Sequence, residues 1–323
     1  MSQGPRADTA PPTGSRPRAR PRRVLLVVNP ASRRGGRVWR AALAALREEG
    51  VECELLLTAR PGEGGAAAVE RHGDFDALFT LGGDGTAMEV VGALAGTGRP
   101  VGILAGGTGN LIARTLGIPL GVRRAVRALL DGAEAAVDLG RLTGPSLLPG
   151  APARFAFAAG VGVDSAMIER TPAALKRRIG VVAYVLSAAR AVLRRTTFRV
   201  TATVDGTTHE VRGASAVMVA NFGSVLNHLI TLGPDIRQDD GFLDLCVFSP
   251  GTLVDAARVM WRLLRRDFRP TPHLLYVRGR RFRVETDPPL VAQADGELIG
   301  PTPFEVEVEP AAATLLVPRT RNG

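Results

Sequence analysis

Residues 82–86 read Gly-Gly-Asp-Gly-Thr, directly after the apolar run 77–81 and before a segment of helical character over 87–94. A glycine-rich turn between a strand and a helix lets the backbone approach a ligand. The helix start beyond it turns unpaired N–H groups and the positive end of a dipole outward. That combination favours an anion, and phosphate above all. Gly82, Gly83, Gly85 and Thr86 are therefore candidate phosphate contacts, with Thr86 expected as the helix N-cap. Asp84 sets a carboxylate where a magnesium ion bridging nucleotide phosphates could be met. The same string also reads as an ordinary glycine turn that holds an aspartate.

The surrounding pattern alternates. Strand-like runs at 24–28, 52–58, 76–81 and 101–104 are separated by helical segments at 38–49, 64–72 and 86–94. Alternation of this kind predicts a parallel sheet covered on both faces, with ligands at the carboxyl ends of its strands. After the fourth strand comes Ala105-Gly106-Gly107-Thr108-Gly109-Asn110, then a helical stretch over 111–116. This second loop repeats the strand, glycine turn, helix order of the first. Two such loops in neighbouring units can close on one nucleotide from two sides. Beyond about residue 143 short β-rich runs dominate, at 155–159, 198–204, 209–213, 215–220, 243–248, 281–285, 290–294, 304–308 and 314–317. They predict an antiparallel sandwich or open barrel, with Asp205-Gly206 as a hairpin turn. The fold class expected is thus α/β: an N-terminal doubly wound parallel-sheet nucleotide-binding domain plus a C-terminal antiparallel β-sandwich domain.

At 323 residues the chain is long enough for two cores and a cleft. Cys53 and Cys246 stand far apart in apolar segments, which suggests neither a disulfide framework nor a zinc site and fits a reducing cytoplasm. His72, His209, His228 and His273 show no ligand spacing. No segment has the length and apolarity of a membrane span. Residues 1–22, rich in Pro, Gly, Ser and Arg, read as a disordered basic tail. The formal charge is +10, concentrated in that tail and in the segments 176–195 and 258–269. An anionic membrane leaflet suits such a surface; with aromatics at 5% and no nucleic-acid motif, nucleic acid is not the expected partner.

Three features of the second half are candidates for chemistry. The connection 221–233 leads into residues 234–244, which include Arg237, Asp239, Asp240, Gly241 and Phe242, and oxygen-rich turns of this type can seat a hard cation. Asp295-Gly296-Glu297 joins two strands, and a type I′ hairpin explains it as well as a catalytic role does. Residues 176–195 read as a helix with apolar and cationic faces, either an interfacial helix or an ordinary surface one.

Taken in order, Asn29-Pro30, residues 82–86, Gly107-Thr108-Gly109-Asn110, residues 234–244 and Asp295-Gly296-Glu297 resemble the diacylglycerol kinase catalytic family, which includes bacterial soluble diacylglycerol kinases, YegS-like lipid kinases and sphingosine kinases. The resemblance implies a nucleotide-binding domain over 23–143 similar to that of NAD kinases and phosphofructokinases. It further implies a β-sandwich lipid domain over 144–311 and a final strand at 312–318 returning to the first domain. Position by position it implies ATP contacts at Asn29, Thr58, Gly82, Gly83, Asp84, Gly85, Thr86, Glu89, Gly107, Thr108 and Asn110. Asp84 would meet the phosphate-bound Mg2+, and a second, structural Mg2+ would be held by Asp240 with the backbone carbonyls of Arg237 and Phe242. Glu297 matches the family's proposed base, with Asp295 beside it and Asp84 as the alternative base. Leu111 departs from relatives that carry Asp there. The implied reaction is ATP-dependent phosphorylation of a lipid hydroxyl at the cytoplasmic face of a membrane, with diacylglycerol as the expected acceptor. A sphingoid base or another lipid alcohol, a NAD kinase, and a non-catalytic membrane-binding protein are the alternatives, and the oligomeric state, a homodimer included, is left open.

Overall fold

In a computed structural model the described residues are 15–162, 197–225, 230–231 and 233–319. The helix expected over 176–195 and His228 lie outside them. The chain divides into two compact units, residues 1–137 with 311–323, and residues 138–310.

In the first unit β1 (Arg16–Pro17) and β2 (Arg23–Val28) lead into α1 (Gly35–Glu48), β3 (Glu52–Leu57) and α2 (Glu63–Arg71). There follow β4 (Ala77–Gly82), α3 (Asp84–Ala93), β5 (Pro100–Ala105), α4 (Leu111–Thr115), α5 (Val122–Leu130) and β6 (Ala133–Thr143), whose residues from 138 onward belong to the second unit. Strands β3, β2, β4 and β5 lie side by side and parallel, with Leu26 of β2 between Leu55 and Phe79. Every residue from Val24 to Val28 is fully buried, as a strand covered on both faces requires. The chain moves from β2 outward to β3, then returns across β2 to β4. The carboxyl ends of β2 and β4 therefore flank the point where the strand order reverses, the place where such sheets bind ligands.

The basic tail enters the fold sooner than its composition suggests. Arg16 and Pro17 pair with Glu134 and Ala133, and Arg20 meets Glu49 at 2.7 Å. The N–H groups of Arg22 and Arg23 both donate to Asp76, at 2.7 and 2.9 Å. Carboxylates distant in sequence hold this segment, and composition alone does not reveal them.

The second unit holds β7 (Arg154–Phe155), β8 (Ala158–Gly162), β9 (Phe198–Val204), β10 (Thr207–Ala214), β11 (Ala216–Ala220), β12 (Ser224–Val225), β13 (Ile230–Thr231) and β14 (Leu243–Phe248). After these come α6 (Leu253–Leu264), β15 (Leu274–Gly279), β16 (Arg281–Asp287), β17 (Val291–Ala294), β18 (Glu297–Pro301) and β19 (Phe304–Val317), whose residues from 311 onward belong to the first unit. One antiparallel sheet runs β10, β9, β16, β19, and another β15, β14, β11, β8, β17, β18. Val200, Phe282 and Phe304 from the first pack with Val217, Leu245 and Ile299 from the second in one apolar core, so this unit is a sandwich. Asp205 (φ 48°) and Gly206 (φ 88°) make the expected left-handed hairpin turn.

The runs at 304–308 and 314–317 form a single strand. Phe304, Val306 and Val308 are buried in its first half and Ala313, Leu315 and Val317 in its second, so the inward positions shift from even to odd numbers. Ala311, at φ 50°, absorbs the shift. The first half pairs antiparallel with β16, and Thr314 and Leu315 pair parallel with Pro100 and Val101 of β5.

Candidate active site

Three loops meet at the carboxyl ends of β2, β4 and β5. The N–H of Asn29 donates to the carbonyl of Leu81 at 3.0 Å, and its side-chain amide lies 3.3 Å from the Thr86 hydroxyl. The N–H of Gly106 donates to the Gly82 carbonyl at 2.7 Å, and that of Arg34 to the Gly106 carbonyl at 2.8 Å. The glycine loops touch so closely that a Cβ on Gly107 would stand 2.5 Å from the Cα of Gly83. A Cβ on Gly82 would meet the Thr86 side chain at the same distance. At Gly107 a side chain is excluded because two backbones share the space, and at Gly82 because the Thr86 side chain fills it.

Helix α3 begins at Asp84 with Gly83 as its cap and no side-chain capping bond. Thr86 is therefore not the N-cap that its position suggested; it lies inside the first turn, facing Asn29. Asp84 links the two glycine loops, because its Oδ1 accepts the N–H of Ile112 at 3.2 Å. Burial pushes the Asp84 carboxyl up from the usual range, and N–H groups of Ile112, Leu111 and Asn110 pull the other way. Asn110 is buried in the left-handed region (φ 51°) and closes the second loop on itself. Its Oδ1 accepts from Gly107 N at 2.9 Å, and its Nδ2 donates to Gly107 O at 3.0 Å. Thr108 is exposed at the crest. Glu89 accepts the N–H of Gly65 at 3.0 Å, tying α3 to the first turn of α2, and Thr58 donates its hydroxyl to Val28 O at 3.3 Å.

One organiser of this region carried no sequence signal strong enough to single it out. Ser32 donates its hydroxyl to Asn29 O at 2.8 Å and accepts from Gly35 N at 3.1 Å, fixing the loop between β2 and α1. The one available clue was a Ser-x-x-Gly pattern just before a helical run.

The second-half candidates belong to the other unit. Asp295 (φ 48°) and Gly296 (φ 91°) turn the chain from β17 to β18. The Asp295 carboxylate accepts three backbone N–H groups, from Ala156, Phe157 and Ala158 at 2.7, 2.9 and 3.0 Å. Asp295 is thus a clamp on the segment ahead of β8. Glu297 is exposed at the head of β18, in register with Ala294.

Asp240 accepts the Phe242 N–H at 3.1 Å through one oxygen and faces the Arg278 guanidinium at 3.3 Å with the other. Arg278 also reaches Asp244 at 3.3 Å and the Asp235 carbonyl at 2.5 Å, while Arg237 pairs with Asp239 at 3.3 Å. Both Asp240 oxygens are therefore engaged by donors of the chain, so a metal ion held by Asp240 with the Arg237 and Phe242 carbonyls would compete with Arg278. The donor chemistry at Asp84 fits a hard cation better: an oxygen ligand whose burial disfavours its charge gains from a divalent ion beside it.

Residues 23–142 match the diacylglycerol kinase catalytic domain, and residues 158–317 match the YegS C-terminal NAD kinase beta sandwich-like domain. A diacylglycerol kinase of Bacillus subtilis is 27% identical over 292 residues, covering 88% of this chain and 92% of that protein. An uncharacterized protein of Synechocystis is 30% identical over 245 residues, 75% of this chain, and the match spans 54% of that relative's length. The crystal structure of a putative diacylglycerol kinase from Bacillus anthracis superposes with a TM-score of 0.76 at 25% identity, covering 93% of this chain and 98% of the other. The parallel-sheet unit with its paired glycine loops and the antiparallel sandwich thus fall in the two matched segments, in the matched order. The chain belongs to the diacylglycerol kinase catalytic family and is, at the level of that family, a lipid kinase.

Proposed function

We propose that this protein transfers the γ-phosphoryl group of ATP to the hydroxyl of a lipid alcohol at an anionic membrane surface, with diacylglycerol as acceptor and phosphatidic acid as product. The observation that carries the reading is the meeting of three loops where the sheet order reverses, two of them glycine turns whose backbones nearly touch. Phosphoryl transfer asks a protein mainly for positioning and for neutralisation of charge on the phosphate oxygens. Residues 82–86 and 107–110 cradle the phosphates with main-chain donors and the start of α3, while Asn29, Thr58 and Glu89 hold the loops in place. Mg2+, when bound through Asp84, offsets the negative charge of the phosphates. The acceptor oxygen attacks the γ-phosphorus, the bond to the bridging oxygen breaks, ADP leaves, and Glu297 takes the hydroxyl proton. Asp295 serves this step by holding the turn that carries Glu297.

Radiolabelled ATP supplied with mixed micelles of diacylglycerol, a sphingoid base or a polyprenyl alcohol, and separately with NAD, tests the reading. Label in phosphatidic acid is the expected result. Label only in NAD or in none of the acceptors refutes it. Label in the sphingoid base alone keeps the lipid kinase and changes its acceptor. Asp84→Asn and Glu297→Gln are each expected to lower turnover by about a hundredfold or more, in line with the loss of a charge-stabilising or proton-accepting group.

A further inference from the structure

Helix α6 is built to present two faces. A reciprocal capping pair starts it: the Thr252 hydroxyl accepts from Asp255 N at 3.1 Å and the Asp255 carboxylate accepts from Thr252 N at 3.0 Å. Val259 and Leu263 bury against Leu274, with Met260, Phe268 and Tyr276 alongside. On the other side Leu253, Val254, Trp261 and Leu264 stand 42%, 60%, 57% and 39% exposed. At about 100° per residue these four positions fall within one stripe roughly a quarter-turn wide. Large apolar side chains gathered in one stripe differ from the single exposed ones found on any surface.

The charge beside the stripe is positive. Residues 253–269 carry Arg258, Arg262, Arg265, Arg266 and Arg269 against Asp255 and Asp267. Both aspartates are already taken, Asp255 by the cap and Arg258, Asp267 by Arg262 and Arg269. The Arg265 guanidinium lies over the Trp261 ring at 4.4 Å, and neither Arg265 nor Arg266 has a carboxylate partner among the described residues. Aliphatic side chains, a tryptophan at mid-stripe and adjoining arginines are what the headgroup boundary of an anionic bilayer accepts, with no matching shape required of it.

We propose that α6 is a membrane-docking surface, its Leu253, Val254, Trp261 and Leu264 entering an anionic leaflet while Arg265 and Arg266 meet the phosphates. Its purpose rests on the lipid-kinase reading, although the docking itself does not require catalysis.

The chain has two tryptophans, Trp39 and Trp261. Trp39→Phe therefore leaves Trp261 as the sole reporter, and binding is followed without ATP on vesicles of phosphatidylcholine with and without phosphatidylglycerol. The expected result is pelleting with the phosphatidylglycerol vesicles, a blue shift of Trp261 emission, and its quenching by brominated acyl chains. Arg265→Gln with Arg266→Gln is expected to weaken association about twenty-five-fold, at roughly fivefold per cation near such a surface. Val254→Ser with Leu264→Ser, both at exposed positions, should weaken it about tenfold by removing apolar area. The proposal is overturned if the protein does not pellet, if it pellets with Trp261 emission unchanged, or if these variants bind as well as the parent. A blue shift without vesicles, together with a dimer in sedimentation velocity, gives the stripe to a second copy and also overturns it. Turnover of a dispersed short-chain diacylglycerol by the unaltered protein reports on the lipid-kinase reading separately, so either can fail while the other stands.

Discussion

Asp84 carries a physical tension at the level of a single residue. It sits between two glycine loops, bonded to Ile112 N, in a setting where burial raises its pKa. A carboxylate whose folded-state pKa is raised binds its proton more tightly in the folded protein than in the unfolded one. Its contribution to stability therefore falls as pH rises from the unfolded value, 3.8, through the raised one. Without nucleotide, Asp84→Asn is expected to melt at or above the wild-type temperature at pH 7, and the difference should shrink at acid pH. Calorimetry across pH checks this, and a variant that is more stable but inactive would mark a site where charge is kept for chemistry. Gly107→Ala sets the opposite case, since its methyl would lie 2.5 Å from the Gly83 backbone. Separating the loops should cost about 2 kcal/mol of stability and at least tenfold in ATP affinity, measured by melting and by titration calorimetry. The glycines and Asp84 were legible in the sequence because their chemistry is local. The linkage of Asp84 to Ile112, 28 residues away, was not, since only the sheet order brings β4 and β5 side by side.

At the level of elements, strand placement followed from apolar runs and periodicity in β2, β4 and β9, which are buried on one side or both. Several elements escaped it, α5, β6 and β15 among them. Strand β15 has one half-exposed residue after another, with a burial pattern that barely alternates. Asp295 shows the same limit for a site residue. Its neighbour Glu297 drew it toward catalysis, yet its oxygens are engaged by the backbone of 156–158. Asp295→Ala is expected to destabilise the sandwich by about 3 kcal/mol, because several N–H groups lose a charged acceptor at once. Asp295→Asn should recover part of that and lower kcat without moving the pH profile, as a positioning residue would. Asn221 clamps the same region from within. It is fully buried and donates to Asp138 O at 2.6 Å and Ala156 O at 2.8 Å, so Asn221→Ala should cost about 2–4 kcal/mol, read from denaturant midpoints.

At the level of the whole molecule, β19 belongs to both units. Ala313, Leu315, Leu316 and Val317 are buried, and Ala312 O accepts the Gly96 N–H at 2.8 Å. At about 2 kcal/mol for each large buried side chain, these residues supply a contribution comparable with the total stability of a domain. A fragment of residues 15–137 is expected to show little cooperative melting, and the same fragment joined through a flexible linker to residues 311–319 should regain it. The resemblance pointed to this return strand; the parity shift at Ala311 that allows one strand to serve both units was invisible in a sequence whose β pattern breaks at Pro310. Ribosomal synthesis meets the consequence directly. The nucleotide-binding half is translated first and stays without its fifth parallel strand until residues 311–317 leave the exit tunnel, so affinity for ATP should emerge only after the sandwich strands have been made.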